Sequence, residues 1–265
     1  MTNEQTLEFL TTAANKHASD IFIIAGRPLS IKVDGHLTNH GERLMPDDTK
    51  QILESIYQMA NNRDLNRLLN TGDDDFSFSI PGLSRFRINA YKQRGSLAAV
   101  IRVIAFQLPD PAELSIPEDV MSIANLTKGM VLVTGSAGSG KSTTMACLID
   151  RINHSREGHI ITLEDPLEYL HRHDRCIVSQ REICTDTENY ITSLRATLRQ
   201  SPDVILLGEM RDHETIQTAM TAAETGHLIL SSLHTLGAAN SLNRIIDVFE
   251  PSQQHQIIMQ LSMVL

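Results

Sequence analysis

The sequence predicts an α/β protein in two parts. A small α+β domain over residues 1–105 is followed by a linker at 106–117 and by an α/β domain with a mainly parallel sheet over 118–265. Three observations carry this reading. Aliphatic runs at 130–134, 159–163, 203–207 and 228–233 alternate with helical stretches, the pattern of a parallel sheet covered by helices on both faces. The stretch "VTGSAGSGKSTTM", Val133 to Met145, sets a glycine-rich turn between one of these strands and the helix after it. Between the parts lies "FQLPDPAELSIP", which holds three of the nine prolines and reads as a semi-rigid connector.

In the first part, apolar spacing predicts a helix near 6–16 and a strand over 21–25. "IKVDGHL" is a hairpin turned by Asp34-Gly35, since that pair takes the left-handed conformations a two-residue turn demands. A helix follows over 47–59. "DDD", Asp73 to Asp75, reads as a solvated turn before strands at 76–80, 85–91 and 96–104, which are separated by Pro81-Gly82 and Arg94-Gly95. In "RFRINAY", Phe86 and Ile88 alternate with Arg85 and Arg87, and Arg94 and Arg102 follow. No acidic partner is evident within that stretch, and such a cluster suits phosphate contacts across an interface.

The second part opens on the phosphate loop. Gly135, four residues, then Gly140-Lys141-Ser142 fits G-x-x-x-x-G-K-[ST] in full. Backbone N–H groups converge on a phosphate only where no Cβ obstructs the turn, which is why glycine is needed. The helix from Ser142 then faces the phosphates with its N-terminus, Lys141 pairs their charge, and the Ser142 hydroxyl reaches Mg²⁺. "IITLEDPLEY" puts Glu164, Asp165 and Glu168 just past a strand's carboxyl end, where ligands of open α/β sheets bind, and Glu164 is the candidate base for an attacking water. In "DVILLGEMRD" Gly208 stands where an aspartate usually ends such a strand, so Glu209 is assigned to Mg²⁺ or to the water network. His227 and His234 flank a buried strand in "TGHLILSSLHT", and spacing alone makes them structural. Arg195 and Arg199 share one face of the helix in "YITSLRATLRQ" and invite an anion, whereas "HRHDRC", His171 to Cys176, matches no zinc spacing and reads as an exposed loop.

Composition narrows the function further. Net charge of −9 and aromatics at 4% with no Trp argue against a broad nucleic-acid surface, which needs clustered cations and stacking rings. No apolar run approaches the ~18 residues of a membrane span, and the first twenty residues lack the basic and apolar regions of an export signal. Three cysteines, Cys147, Cys176 and Cys184, make no disulfide framework and fit a reducing cytoplasm.

Taken in order, "ASDIFI", "GSAGSGKSTT", "ITLEDPLEY", "LRATLRQSPDVILLGEMRD" and "AAETGHLILSSLHT" resemble the secretion ATPase superfamily, and most closely its PilT-type motors of type IV pilus retraction and twitching motility. The resemblance implies a PAS-like first domain and a RecA-like second one. It implies a Mg-dependent ATPase in which Gly135, Ser136, Ala137, Gly138, Ser139, Gly140, Lys141, Ser142 and Thr143 form Walker A around ATP. Glu164 then lies in the Asp box as the catalytic carboxylate. Glu209 lies in an atypical Walker B and joins Ser142 at the metal, and His227 and His234 make the His box. It further implies a homohexamer in which Arg85, Arg87, Arg94 or Arg102 approaches the neighbour's nucleotide. Such a motor is cytoplasmic, peripheral at the inner face of the cytoplasmic membrane, and pulls on pilus-base proteins there, with no nucleic acid involved.

Relatives of this type continue past "QQHQIIMQLSMVL" with further helices, so a shortened chain is expected. Extension ATPases of pilus assembly and type II secretion carry a four-cysteine zinc module that this chain lacks, which favours retraction. A Dot/Icm-like type IV secretion ATPase is the runner-up. Outside the class stand a RecA-like nucleic-acid motor, opposed by the acidic charge, and a nucleotide-dependent interaction module, opposed by Glu164.

Overall fold

The structure, a computed structural model, describes residues 2–104 and 108–264 and divides into two compact units, Met1–Phe106 and Gln107–Leu265. The first runs α1 (Asn3–Asn15), β1 (Asp20–Ile23), β2 (Pro28–Val33), β3 (His36–Arg43), α2 (Pro46–Met59), α3 (Asn66–Thr71), β4 (Asp73–Ile80), β5 (Ser84–Gln93) and β6 (Ser96–Ile104). Its strands form one antiparallel sheet in the order β3-β2-β1-β6-β5-β4. Thr2 and Gln5 cap α1 reciprocally, and Asp34-Gly35 and Arg94-Gly95 turn the β2-β3 and β5-β6 hairpins at positive φ. One sheet face packs Ile21, Ile31, Phe86, Ile88 and Ile101 against Leu10, Ile52, Leu53 and Ile56 of α1 and α2.

"DDD" is not a solvated turn. β4 begins at Asp73, and strand alternation then turns Asp74 to the same side as Phe76 and Phe78, where it is 2% exposed. Its carboxylate accepts from Arg63 Nε and Nη2, both at 2.8 Å, and from the Tyr57 hydroxyl at 3.0 Å, while Arg67 Nε lies at 3.3 Å. Burial alone would raise the Asp74 pKa, but the hydrogen bonds from Arg63 and Tyr57 and the nearby arginine charges outweigh it and hold the carboxyl below its usual range. Asp74→Ala would leave the Arg63 guanidinium, seated over the Phe76 ring, without its counter-charge. We expect this variant to lose about 3–5 kcal/mol, read as an earlier urea transition of the first unit.

The arginines on the other sheet face do have carboxylate neighbours, on adjacent strands rather than in their own stretch. Arg87 donates to Asp75 at 2.8 and 3.3 Å, and Arg102 Nε lies 3.4 Å from Asp20. Arg87 and Arg102 are register partners and share this face with Arg85, whereas Arg94 sits in the β5-β6 turn, roughly 30 Å along the strand from Arg85.

The second unit runs α4 (Glu118–Met121), a 3₁₀ turn (Ser122–Asn125), β7 (Gly129–Thr134), α5 (Lys141–Ser155), β8 (Gly158–Glu164), β9 (Cys176–Glu182), α6 (Tyr190–Thr197), β10 (Val204–Leu207), α7 (His213–Glu224), β11 (Leu228–Leu233), α8 (Ala238–Ile246) and α9 (Pro251–Val264). Its sheet is parallel, in the order β7-β11-β10-β8-β9. One face packs under α5 through Leu148, Ile149 and Ile152, the other under α6, α7 and α9 through Leu194, Ile216, Met220 and Leu261. Two-sided burial explains why the central strands are rich in aliphatic residues, with Thr162, Ser231 and Ser232 buried among them.

Two stretches read from the sequence as linker and loop make contacts in this unit. Of the linker, Phe106 and Gln107 lie outside the described residues. In the remainder, Ile116 packs on the α5 core and the Pro109 carbonyl faces the Cys147 thiol. "HRHDRC" is not wholly a loop, since buried Cys176 starts β9 and pairs in register with Gly158.

Candidate nucleotide site

The carboxyl ends of β7, β8, β10 and β11 share one sheet edge, where parallel α/β sheets carry their sites. β7 leads into the loop and α5 leaves it with Lys141 as its first residue. Gly138 (φ 74°) and Gly140 (φ 88°) hold left-handed backbone, and a Cβ at Gly135 would lie 2.6 Å from Ser139 Oγ. Ser139 closes the turn by donating to the Ser136 carbonyl at 2.8 Å, and Thr143 shares a hydrogen bond with the Tyr169 hydroxyl at 3.0 Å. Lys141 Nζ is drawn back over the loop, donating to the carbonyls of Gly135 at 3.1 Å and Ser136 at 2.8 Å. A cradle closed to side chains, with an ammonium at its mouth and a helix N-terminus behind it, fits a polyphosphate.

Facing the loop across one cleft are Glu164 and Asp165 from the end of β8, Glu209 and Arg211 after β10, and His234 after β11. Ala137, Gly138, Lys141 and Ser142 line the opposite wall. Burial pushes the Glu164 carboxyl up to about 7, and the neighbouring Glu168 charge adds to the rise. A carboxylate in that range takes a proton from water far more readily than an exposed one. Glu209 is held by Arg211 Nε at 2.7 Å, with His234 Nε2 at 3.8 Å from the same oxygen.

The structure thus gathers Lys141, Ser142, Glu164, Glu209 and His234 but not His227. His227 precedes β11 while His234 follows it, so the six-residue strand sets them roughly 20 Å apart, at opposite sheet edges. There Nδ1 of His227 meets the Ala222 carbonyl at 2.9 Å, closing the end of α7. Arg195 does not wait for an anion, because it pairs with Glu214 of α7. Sequence reasoning gave no role to Arg211, Tyr169 and Tyr190 and read His171 as part of an exposed loop, yet all four line the cleft. Only Arg211, two residues past Glu209, carried a local signal. His171 is kept neutral, its pKa lowered to about 4 by burial and by the His154 charge.

Comparison with known proteins places this geometry in context. Residues 3–265 match the family described as type II/IV secretion system protein. The chain is 42% identical over 255 residues to the type IV pilus retraction ATPase PilT of Pseudomonas aeruginosa, an alignment covering 96% of this chain and 74% of that protein. A crystal structure of the pilus retraction motor PilT with bound ADP superimposes with a TM-score of 0.87 at 43% identity, covering 98% of this chain and 75% of that one. The ATPase DotB of Legionella pneumophila gives a TM-score of 0.80 at 29% identity, covering 100% of this chain and 75% of its own. Among the described residues, no helix is long and apolar enough to cross a membrane.

Proposed function

This chain belongs to the type II/IV secretion system protein family, and on that premise we propose that it is the ATP-hydrolysing motor that retracts type IV pili in twitching motility. The observation that carries the proposal is the meeting, in one cleft, of a complete phosphate loop with a carboxyl poised near neutrality, Glu164. The 42% identity to a retraction ATPase supplies the biological direction.

Gly135 to Thr143 hold the phosphates through backbone N–H groups, and Lys141 neutralises them. Ser142 and Glu209 are the residues that would hold Mg²⁺, whose chemistry there is neutralisation of charge on the transferred phosphoryl group. Glu164 orients a water and takes its proton, and His234 steadies Glu209. The ring is a homohexamer at the cytoplasmic face of the inner membrane, working on pilus-base proteins and not on nucleic acid. The first unit has no phosphate loop of its own. Arg85, Arg87 and Arg102, which share a face, are therefore better placed as a group to serve a neighbour's site than Arg94 in its turn. The likeness to DotB keeps a type IV secretion ATPase as the second reading.

A strain without the gene should keep its surface pili and lose twitching, with movement restored by the wild-type gene and not by Glu164→Gln. Loss of the pili themselves would move the role to assembly. Normal pili with normal twitching would remove the pilus from the reading.

A further inference from the structure

At residue 208, where a strand of this kind usually ends in an aspartate, the backbone is pinned from both sides. Gly208 N donates to the Leu163 carbonyl at 2.8 Å, and its own carbonyl accepts from Ser232 Oγ at 2.6 Å. A Cβ at this position would lie 2.9 Å from the Tyr190 hydroxyl and 3.4 Å from Glu164 Cα. The phenol oxygen therefore fills the space into which a side chain at 208 would project, so the missing aspartate and the presence of this tyrosine are one feature.

Tyr190 is the first residue of α6, and Asn189 fixes that helix start by accepting from Thr192 N at 2.9 Å. Its ring packs against the apolar cluster beneath the sheet, Tyr190 is among the residues that line the cleft, and its hydroxyl is buried with no hydrogen-bonding partner among the described residues. Burial, and then the charges of Glu209, Asp165 and Glu164, push its pKa up, so the phenol stays protonated and acts as a donor. A buried donor without an acceptor is costly, and beside a reaction site an acceptor supplied in the working state accounts for it.

We propose that Tyr190 is a positioning residue whose hydroxyl replaces the strand-end side chain and donates a hydrogen bond to the water ordered by Glu164 and Glu209. One lone pair of that water is then held, its proton goes to Glu164, and its other lone pair is left for the phosphoryl group. The inference rests on the reading of the cleft as an ATP site.

Tyr190→Phe keeps the ring and removes only the hydroxyl. Its kcat should fall about 10-fold with KM for ATP within about twofold. The melting temperature of the nucleotide-free variant should equal or exceed that of wild type, and the rise on adding Mg·ADP should persist. Unchanged kcat would overturn the assignment. So would a lower nucleotide-free melting temperature, which would show that the hydroxyl is held structurally. A wild-type protein that neither gains stability from Mg·ADP nor turns over ATP would overturn the site reading itself, and this inference with it.

Discussion

Glu164→Gln is expected to lower ATP turnover by about 10²-fold or more while leaving nucleotide affinity within about twofold. The amide matches the carboxylate in shape and still accepts a hydrogen bond from water, so the site keeps its form and loses only its base. The pH dependence gives an independent check. With its carboxyl raised to about 7, Glu164 is protonated below that value, so wild-type kcat/KM should drop as pH falls through 7. An exposed carboxylate would hold activity down to roughly pH 4. The residual activity of the glutamine variant should lack this limb. Stability runs the opposite way, because a raised carboxyl binds its proton more tightly in the folded chain than in the unfolded one. The folded state then loses stability as pH climbs from the ordinary carboxylate range through about 7, and the variant should melt later than wild type above that point. Near wild-type turnover in Glu164→Gln would transfer the role of base to Glu209.

What the sequence disclosed of this site followed from how local each signal is. The phosphate loop is written in consecutive residues, and β8, β10 and β11 show as aliphatic-rich runs because they lie inside the sheet and are buried on both faces, while β7, at the sheet edge, shows through the aliphatic run that leads into the loop. β9 escaped because its aliphatic run is short and broken by exposure, with Ile177 62% exposed and a polar end in "SQRE". Asp74 escaped because three consecutive acids look solvated until strand register shows that the middle one faces Arg63 and Tyr57, neither of them adjacent in sequence. The same holds for Asp20 beside Arg102 and Glu214 beside Arg195, pairings made by strand or helix neighbours rather than by chain neighbours. Gly208 could be seen as a departure, but its cause could not. Only the fold brings Tyr190 against it. His227 and His234 show how a motif that is compact in sequence can span the full length of a strand in space.

Lys141→Met should weaken ATP binding by about 10²-fold or more, the second large effect. Lys141 is 8% exposed, and its ammonium donates to two loop carbonyls, those of Gly135 and Ser136. That leaves a third donor and the full charge for the phosphates, and no other side chain of the loop is cationic. Methionine is chosen over alanine because it keeps the apolar stem in its packing, so that lost charge is not confused with a lost contact. A melting temperature near wild type together with lost affinity, measured by titration with a fluorescent nucleotide, isolates the electrostatic role. Lys141→Arg should not restore binding, because a planar fork cannot fold back onto two carbonyls one residue apart as a compact ammonium does. The two large variants also separate binding from chemistry, since the lysine change should abolish nucleotide-dependent stabilisation and the Glu164 change should retain it. Undiminished affinity in both Lys141→Met and Lys141→Arg would mean that the phosphates do not rest on this loop, and the roles assigned to Ser142, Glu164 and Glu209 would fall with it.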